Sequence, residues 1–327
     1  MRILVTGGAG YVGSHAARFL ELAGHEIWVY DNLSHGHRSA AHPDRLIVGD
    51  LHDQAKLAAV MVEKRIEAVM HFAAFALVGE SVTDPAKYYR NNVLGSLSLL
   101  EAMRAGRVGK IVFSSTTATY GAPERVPISE DEPQRPINPY GFTKLVIEQA
   151  LADYARAYGL GYAALRYFNA AGASPGGDLG EDHTPESHLI PIVLQVALGQ
   201  RTHITLFGDD YPTPDGTCVR DYIHVDDLAS AHAKALARLT PGEGLKLNLG
   251  TGEGHSVREV IESCRRVTGR AIPMEIGPRR PGDPPALVAD SRRARSLLDW
   301  EPKFVELDAI VSTAWRWHSE HPHGFGD

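Results

Sequence analysis

Ile3-Leu4-Val5-Thr6-Gly7-Gly8-Ala9-Gly10-Tyr11-Val12-Gly13 opens the chain and decides its fold. A short apolar run breaks into glycines, and an amphipathic stretch through Val12, Phe19, Leu20 and Ala23 follows. Glu26-Ile27-Trp28-Val29-Tyr30 then reads as a second strand that ends at Asp31. Strand, glycine turn, helix and strand in this order predict the phosphate-binding turn of a doubly wound α/β domain. Of Gly7, Gly10 and Gly13, two let the backbone turn tightly and approach a pyrophosphate, and the third lets helix and strand pack closely. The helix N-terminus offers free N–H groups to the anion, and Gly24 reads as the glycine that ends the helix. Asp31 is placed to accept hydrogen bonds from an adenosine ribose and to repel a 2′-phosphate, which points to NAD rather than NADP.

Further on, Arg45–Val48 reads as a third strand ending at Gly49-Asp50-Leu51. Asp50 is suited either to contact adenine or to cap the helix from Gln54 to Lys64, and the residues leave both open. Ala68–Phe72 is a fourth strand, and the small Ala73 and Ala74 after it let a flat cofactor lie close to the backbone. A helix from Pro85 to Arg104 and a strand at Lys110–Phe113 complete an alternation that predicts a parallel, doubly wound sheet. A loop at Gly172–His183 marks a domain boundary. The expected division is an NAD-binding part, 1–170, with 220–250 returning to pack on it, and a smaller α/β substrate-binding part, 171–327. In the second part, either Asp226 or Asp227 is expected to cap a helix running to Leu239.

The totals exclude several classes. The chain has 327 residues, 22% charged and 43% hydrophobic, with a formal charge of -7 that offers no field for nucleic acid. No basic leader precedes the first strand, and no apolar run nears the ~18 residues of a membrane span. Cys218 and Cys264 are the only cysteines, which suits a reducing cytoplasm. The sixteen histidines are scattered, with His35, His37, His321 and His323 read as loop and tail residues, so no metal site is expected.

A second constellation carries chemistry. Ser114-Ser115-Thr116-Thr117 ends a strand in hydroxyls, and Asn138-Pro139-Tyr140-Gly141-Phe142-Thr143-Lys144 opens a helix. Asn138 fits the cap and Pro139 the first helical position, so Tyr140 and Lys144 share one face a turn apart. Helix end and ammonium both favour the phenolate. A base at neutral pH needs a shift of ~3 units, or ~4 kcal/mol.

With these residues in place the chain resembles the extended short-chain dehydrogenase/reductase family and, within it, the UDP-galactose 4-epimerases. The likeness runs nearly end to end; Tyr167-Phe168-Asn169 and Val219-Arg220-Asp221-Tyr222-Ile223-His224 are its most specific stretches. The resemblance implies reversible C4 epimerisation of UDP-galactose and UDP-glucose with NAD kept bound between turnovers. It places Gly7, Gly10, Tyr11, Val12, Gly13, Asp31, Asn32, Asp50, Leu51, Phe72, Ala73, Ala74, Asn91, Ser114 and Tyr167 around the cofactor and Lys144 on its ribose. Tyr140 takes the 4-hydroxyl proton, Thr116 holds that hydroxyl, and the 4-keto sugar turns over before reduction. Asn169, His188, Leu189, Arg220, Arg280 and Asp283 hold the UDP, with the arginines on the diphosphate. Leu287 falls where some members close the sugar pocket with a tyrosine, which leaves room for N-acetylated hexosamines. A homodimer built on helices around Tyr88–Met103 and Leu145–Tyr158 is also implied.

Departures from the family pattern are Ala76 for a lysine near the cofactor, Thr116 for the commoner serine, and His188 for an asparagine. A 4,6-dehydratase needs an acid/base pair directly after Thr116, where this chain has Thr117 and Ala118, neither able to transfer a proton at neutral pH. A C4 epimerase of UDP-pentoses or UDP-glucuronate stays as the alternative, and a non-catalytic NAD sensor is disfavoured by the presence of Tyr140, Lys144 and Thr116.

Overall fold

The computed structural model describes residues 1–280 and 283–327; Pro281 and Gly282 lie outside the described residues. From the N-terminus the elements are β1 (Arg2–Thr6), α1 (Tyr11–Leu22), β2 (Glu26–Asp31), β3 (Leu46–Val48), α2 (Gln54–Glu63) and β4 (Ala68–His71). α3 (Val78–Thr83), α4 (Pro85–Tyr88), α5 (Gly95–Gly106), β5 (Lys110–Thr116), α6 (Pro139–Tyr158) and β6 (Gly161–Tyr167) follow. The second half carries β7 (Asn169–Ala171), α7 (Leu189–Ala197), β8 (Ile204–Phe207), β9 (Val219–Arg220), β10 (Tyr222–His224), α8 (Val225–Arg238) and β11 (Gly244–Leu249). β12 (His255–Ser256), α9 (Val257–Thr268), β13 (Met274–Gly277), β14 (Ala286–Leu287), α10 (Arg292–Leu298) and α11 (Leu307–Glu320) close the chain.

Seven parallel strands form the main sheet in the order β11-β6-β5-β4-β1-β2-β3. Strand order reverses between β1 and β4, the place where such sheets open a crevice at their carboxyl ends. One face packs α1 and α8 through Leu20, Leu228 and Leu236; the other packs α2, α5 and α6 through Leu57, Leu99, Met103, Ile147 and Leu151. A separate core around Ile190, Leu194, Val260, Ile261 and Ile310 joins α7, α9 and α11.

Caps explain most boundaries. Asn138 Oδ1 accepts from Gly141 N at 2.8 Å with Pro139 at the first position, as the sequence predicts. One cap decides a reading that the sequence left open, and another differs from expectation. The cap of α2 is Asp53, which accepts from Lys56 N at 3.0 Å, so Asp50 is released to the cleft. The cap of α8 is His224, whose Nδ1 accepts from Asp226 N at 3.1 Å, while Asp227 instead accepts from Lys303 and Phe304 amides. An aspartate with nearer backbone donors elsewhere does not compete for the cap.

The expected helix from Pro85 to Arg104 is interrupted. Tyr89–Leu94 forms a wide π turn between α4 and α5. Asn92 explains it, since its amide bonds Phe75 N and O at 2.9 and 3.0 Å and the Thr143 hydroxyl at 3.2 Å. Held by three distant groups, Asn92 takes its own backbone out of the regular ladder, and such bulges gather at functional sites.

Candidate active site

The carboxyl ends of β1, β2, β4, β5 and β6 open into a cleft of about 1590 Å³ whose far wall comes from the second half of the chain. That volume exceeds the ~300–1,000 Å³ of an ordinary ligand pocket and suits two ligands side by side.

The glycine turn forms its floor. Gly7 has φ +72°, and a Cβ there would stand 2.5 Å from Ala73 N; one on Gly13 would stand 2.1 Å from Gly7 O. Both positions are closed to any side chain. A Cβ on Gly10 would meet only Gly7 O, at 3.5 Å, and otherwise enter open space. Gly10 precedes α1 without any side-chain cap, which leaves the first-turn amides to an anion in the cleft. Asp31 accepts from Ala9 N at 3.0 Å and Leu33 N at 2.8 Å, fixing its carboxylate at the strand end; burial raises its pKa against those bonds. Asn32 donates to Asp50 at 2.9 Å, and Leu51, Phe72, Ala73, Ala74 and Asn91 continue the same wall. These residues fit an adenine dinucleotide: a pyrophosphate-sized space at glycine and a fixed acceptor one strand over.

Thr116, Tyr140 and Lys144 meet beyond that floor. Lys144 is 3% exposed and donates through Nζ to Ser114 O at 2.7 Å, with Nζ 5.9 Å from the Tyr140 ring centre. Ser114 Oγ lies 2.6 Å from the Tyr167 hydroxyl. Burial pushes the Lys144 pKa down to about 7, opposed by the Glu148 charge. Burial also raises the Tyr140 phenol, with the neighbouring Thr116 hydroxyl pulling the other way. Burial of both groups works against the phenolate that the helix end and the ammonium are expected to favour.

The opposite wall holds Asn169, His188, Leu189, Arg220, Arg280, Asp283 and Leu287. Arg220 pairs with Asp283, and its Nη1 donates to Val219 O at 2.8 Å. Arg280 lies over the Phe207 ring at 4.3 Å. Ala76 lines the cleft as well.

The sequence reading did not single out two groups that hold this arrangement. Glu148, one turn beyond Lys144 on α6, is fully buried and takes a two-pronged bond from Arg166 of β6 at 2.9 and 2.5 Å, with Ser115 Oγ at 2.6 Å. It locks the Tyr140 helix to β5 and β6. Asp221, also fully buried, accepts from Thr251 N and Oγ1, Gly252 N and Ala289 N at 2.9 to 3.1 Å, fixing the strand junction beside Arg220.

Residues 3–250 match the model of the NAD dependent epimerase/dehydratase family, and the chain belongs to that family. It is 56% identical, over 326 residues covering 99% of this chain and 98% of the relative, to the UDP-glucose 4-epimerase of Halalkalibacterium halodurans. Among solved structures, UDP-glucose 4-epimerase from Brucella ovis in complex with NAD matches with a TM-score of 0.93 and 53% identity, covering 97% of this chain and 98% of that one. The enzyme from Bifidobacterium longum in complex with NAD+ and UDP matches with a TM-score of 0.94 and 38% identity, over 99% and 100% of the two chains.

Proposed function

We propose that this chain interconverts UDP-galactose and UDP-glucose by epimerisation at C4, with NAD retained through the cycle. One observation carries the reading: Tyr140, Lys144 and Thr116 share a single cleft with the Gly7–Gly13 turn and with Arg220 and Arg280. Bound NAD supplies a two-electron acceptor and donor for the sugar carbon. Within the chain, Tyr140 accepts the 4-hydroxyl proton and later returns it, and Thr116 holds that hydroxyl in line. Lys144 orients the cofactor ribose and places its charge beside the phenol. On the other wall Arg220 and Arg280 take the diphosphate, with Asn169, His188, Leu189 and Asp283 holding the rest of the nucleotide. The proposed division of labour assigns NAD to residues 1–170 with 220–250, and the sugar nucleotide to 171–327.

A homodimer is part of the proposal. Tyr89 and Leu94, in the π turn that leads into α5, and Phe142 of α6 are 40, 54 and 44% exposed, while the inner sides of α5 and α6 already sit in the core. The cysteines are buried and unbridged, which fits a cytoplasmic setting, and among the described residues no helix is long and apolar enough to cross a membrane.

The test is a coupled assay across UDP-galactose, UDP-N-acetylgalactosamine, UDP-pentoses and UDP-glucuronate, with analysis of the dinucleotide released on denaturation. Turnover of UDP-galactose without added NAD, and release of NAD, is expected. Preferential turnover of a pentose or uronate, or release of NADP, would overturn the reading.

A further inference from the structure

Ahead of α7 the segment Glu181-Asp182-His183-Thr184-Pro185-Glu186-Ser187-His188 folds so that four side chains converge. One ligand atom from each of Glu181, His183, Glu186 and His188 lies within 4.8 Å of the other three. His183 Nδ1 stands 3.3 Å from Glu181 Oε1 and 3.7 Å from Glu186 Oε2, and His188 Nδ1 stands 3.6 Å from Glu186 Oε1. His188 Nδ1 also contacts Glu181 Oε1 directly.

Two physical facts set this cluster apart from a solvated ion pair. Both carboxylates have side chains only 4% exposed, and among the described residues no lysine or arginine nitrogen lies within 4.0 Å of either. Two buried negative charges need a compensating charge of two, which either two protonated imidazoles or one divalent cation held by neutral imidazoles supplies. The spacing is the second fact. Nitrogen and oxygen ligands at ~2.0–2.1 Å from a tetrahedral ion lie about 3.4 Å from one another; the distances from His183 Nδ1 to Glu181 Oε1 and Glu186 Oε2, 3.3 and 3.7 Å, match that spacing, and the direct His188–Glu181 contact has to open to admit the ion.

The surroundings orient the donors. Glu186 Oε1 accepts from Ser187 N at 2.7 Å and His188 N at 2.8 Å, which fixes the carboxylate and turns Oε2 toward His183. Glu181 O accepts from the Trp317 indole of α11 at 3.3 Å, and the His183 ring meets Tyr11 edge-on with centres 6.2 Å apart. Backbone bonds that pre-set ligand direction are what a metal site requires outside its ligands.

We propose that Glu181, His183, Glu186 and His188, the last through Nδ1 with Nε2 left to the nucleotide, form a binding site for one divalent first-row transition metal ion, with zinc the best match to the donor set. Four protein ligands fill a tetrahedron, so the site is structural and leaves no position for a reacting water. It clips the segment before α7 beside the glycine-turn helix, joining two walls of the cleft. The inference does not depend on which sugar nucleotide is turned over.

The experiment uses full-length protein free of any histidine tag, stripped with EDTA, equilibrated with zinc sulfate, desalted and analysed for metal. One zinc per chain is expected, with affinity lowered more than about tenfold in both His183→Gln and Glu186→Gln. Cobalt(II) on the parent protein is expected to give the intense visible bands of a tetrahedral site, a readout that needs no variant to fold. Loss of stoichiometric metal on desalting, retention of zinc equally by parent and variants, or only the weak absorption of octahedral cobalt would each overturn the proposal.

Discussion

Burial works against the charged forms of both Tyr140 and Lys144, so ionising Tyr140 to the phenolate that accepts the proton draws on the positive charge of bound NAD+ as well as on the chain. Tyr140→Phe removes only the oxygen. If Tyr140 is the base, kcat should fall by ~10²–10⁴ while KM and retained NAD stay near the parent values. Activity within a few-fold of the parent would remove the assignment. Leu287 is the second residue with a specific expectation. It lines the cleft from β14, where its register partner is Arg220. An N-acetyl group adds about three heavy atoms, and a tyrosine in place of leucine would take about four from a closely packed pocket. The parent should therefore turn over UDP-N-acetylglucosamine as well as UDP-glucose. Leu287→Tyr should cost the larger sugar far more in kcat/KM, and an unchanged ratio would mean that Leu287 is not the gate.

At the scale of elements, His71 ties three together. Its Nδ1 lies 2.7 Å from the Thr6 hydroxyl of β1 and its Nε2 2.8 Å from the Ser96 hydroxyl of α5. Burial pushes its pKa down from 6.5 to about 3, with the Lys144 charge adding to the shift. The unfolded chain takes up this proton first, so the stabilisation is complete above the unfolded value and is lost as pH falls toward the folded one. Urea unfolding of the parent and His71→Gln at about pH 7.5 and about pH 5 should show the parent's relative stability dropping by about 2 kcal/mol at the lower pH. A pH-independent difference would contradict a neutral His71. Such ties mark the limit of what the sequence discloses. The glycine turn and the Tyr140–Lys144 face were legible because each is a local pattern read through strand and helix periodicity. His71 and Thr6 are 65 positions apart, and Asn92 and Thr143 are 51 apart. Nothing in a local window says that Asn92 will open a π turn, or that Glu148 and Arg166 will pair inside the core. The short strands β9, β10, β12 and β14 were hidden for the same reason, since two or three residues carry no period of their own.

For the whole molecule, the proposed dimer of 35.6 kDa chains rests on the exposed Tyr89, Leu94 and Phe142. Light scattering at micromolar concentration should give twice the chain mass, and Leu94→Glu with Phe142→Glu should return it to one chain with the fold intact. A parent protein of single-chain mass would refute the dimer. The order of the main sheet bears on how the molecule is made. Its outermost strand, β11, pairs with β6 in register from Gly244↔Tyr162 to Leu249↔Tyr167, about 80 residues later in the chain. At ~5–20 residues per second, a ribosome leaves the β6 edge without its neighbour for roughly 4–16 s, with the whole of β7 to α8 still emerging. An unpaired strand edge invites pairing with another chain. Nascent chains of this protein are thus most exposed to misassembly during that interval, and slow codons placed within it would lengthen the hazard, whereas the same codons after Leu249 would not.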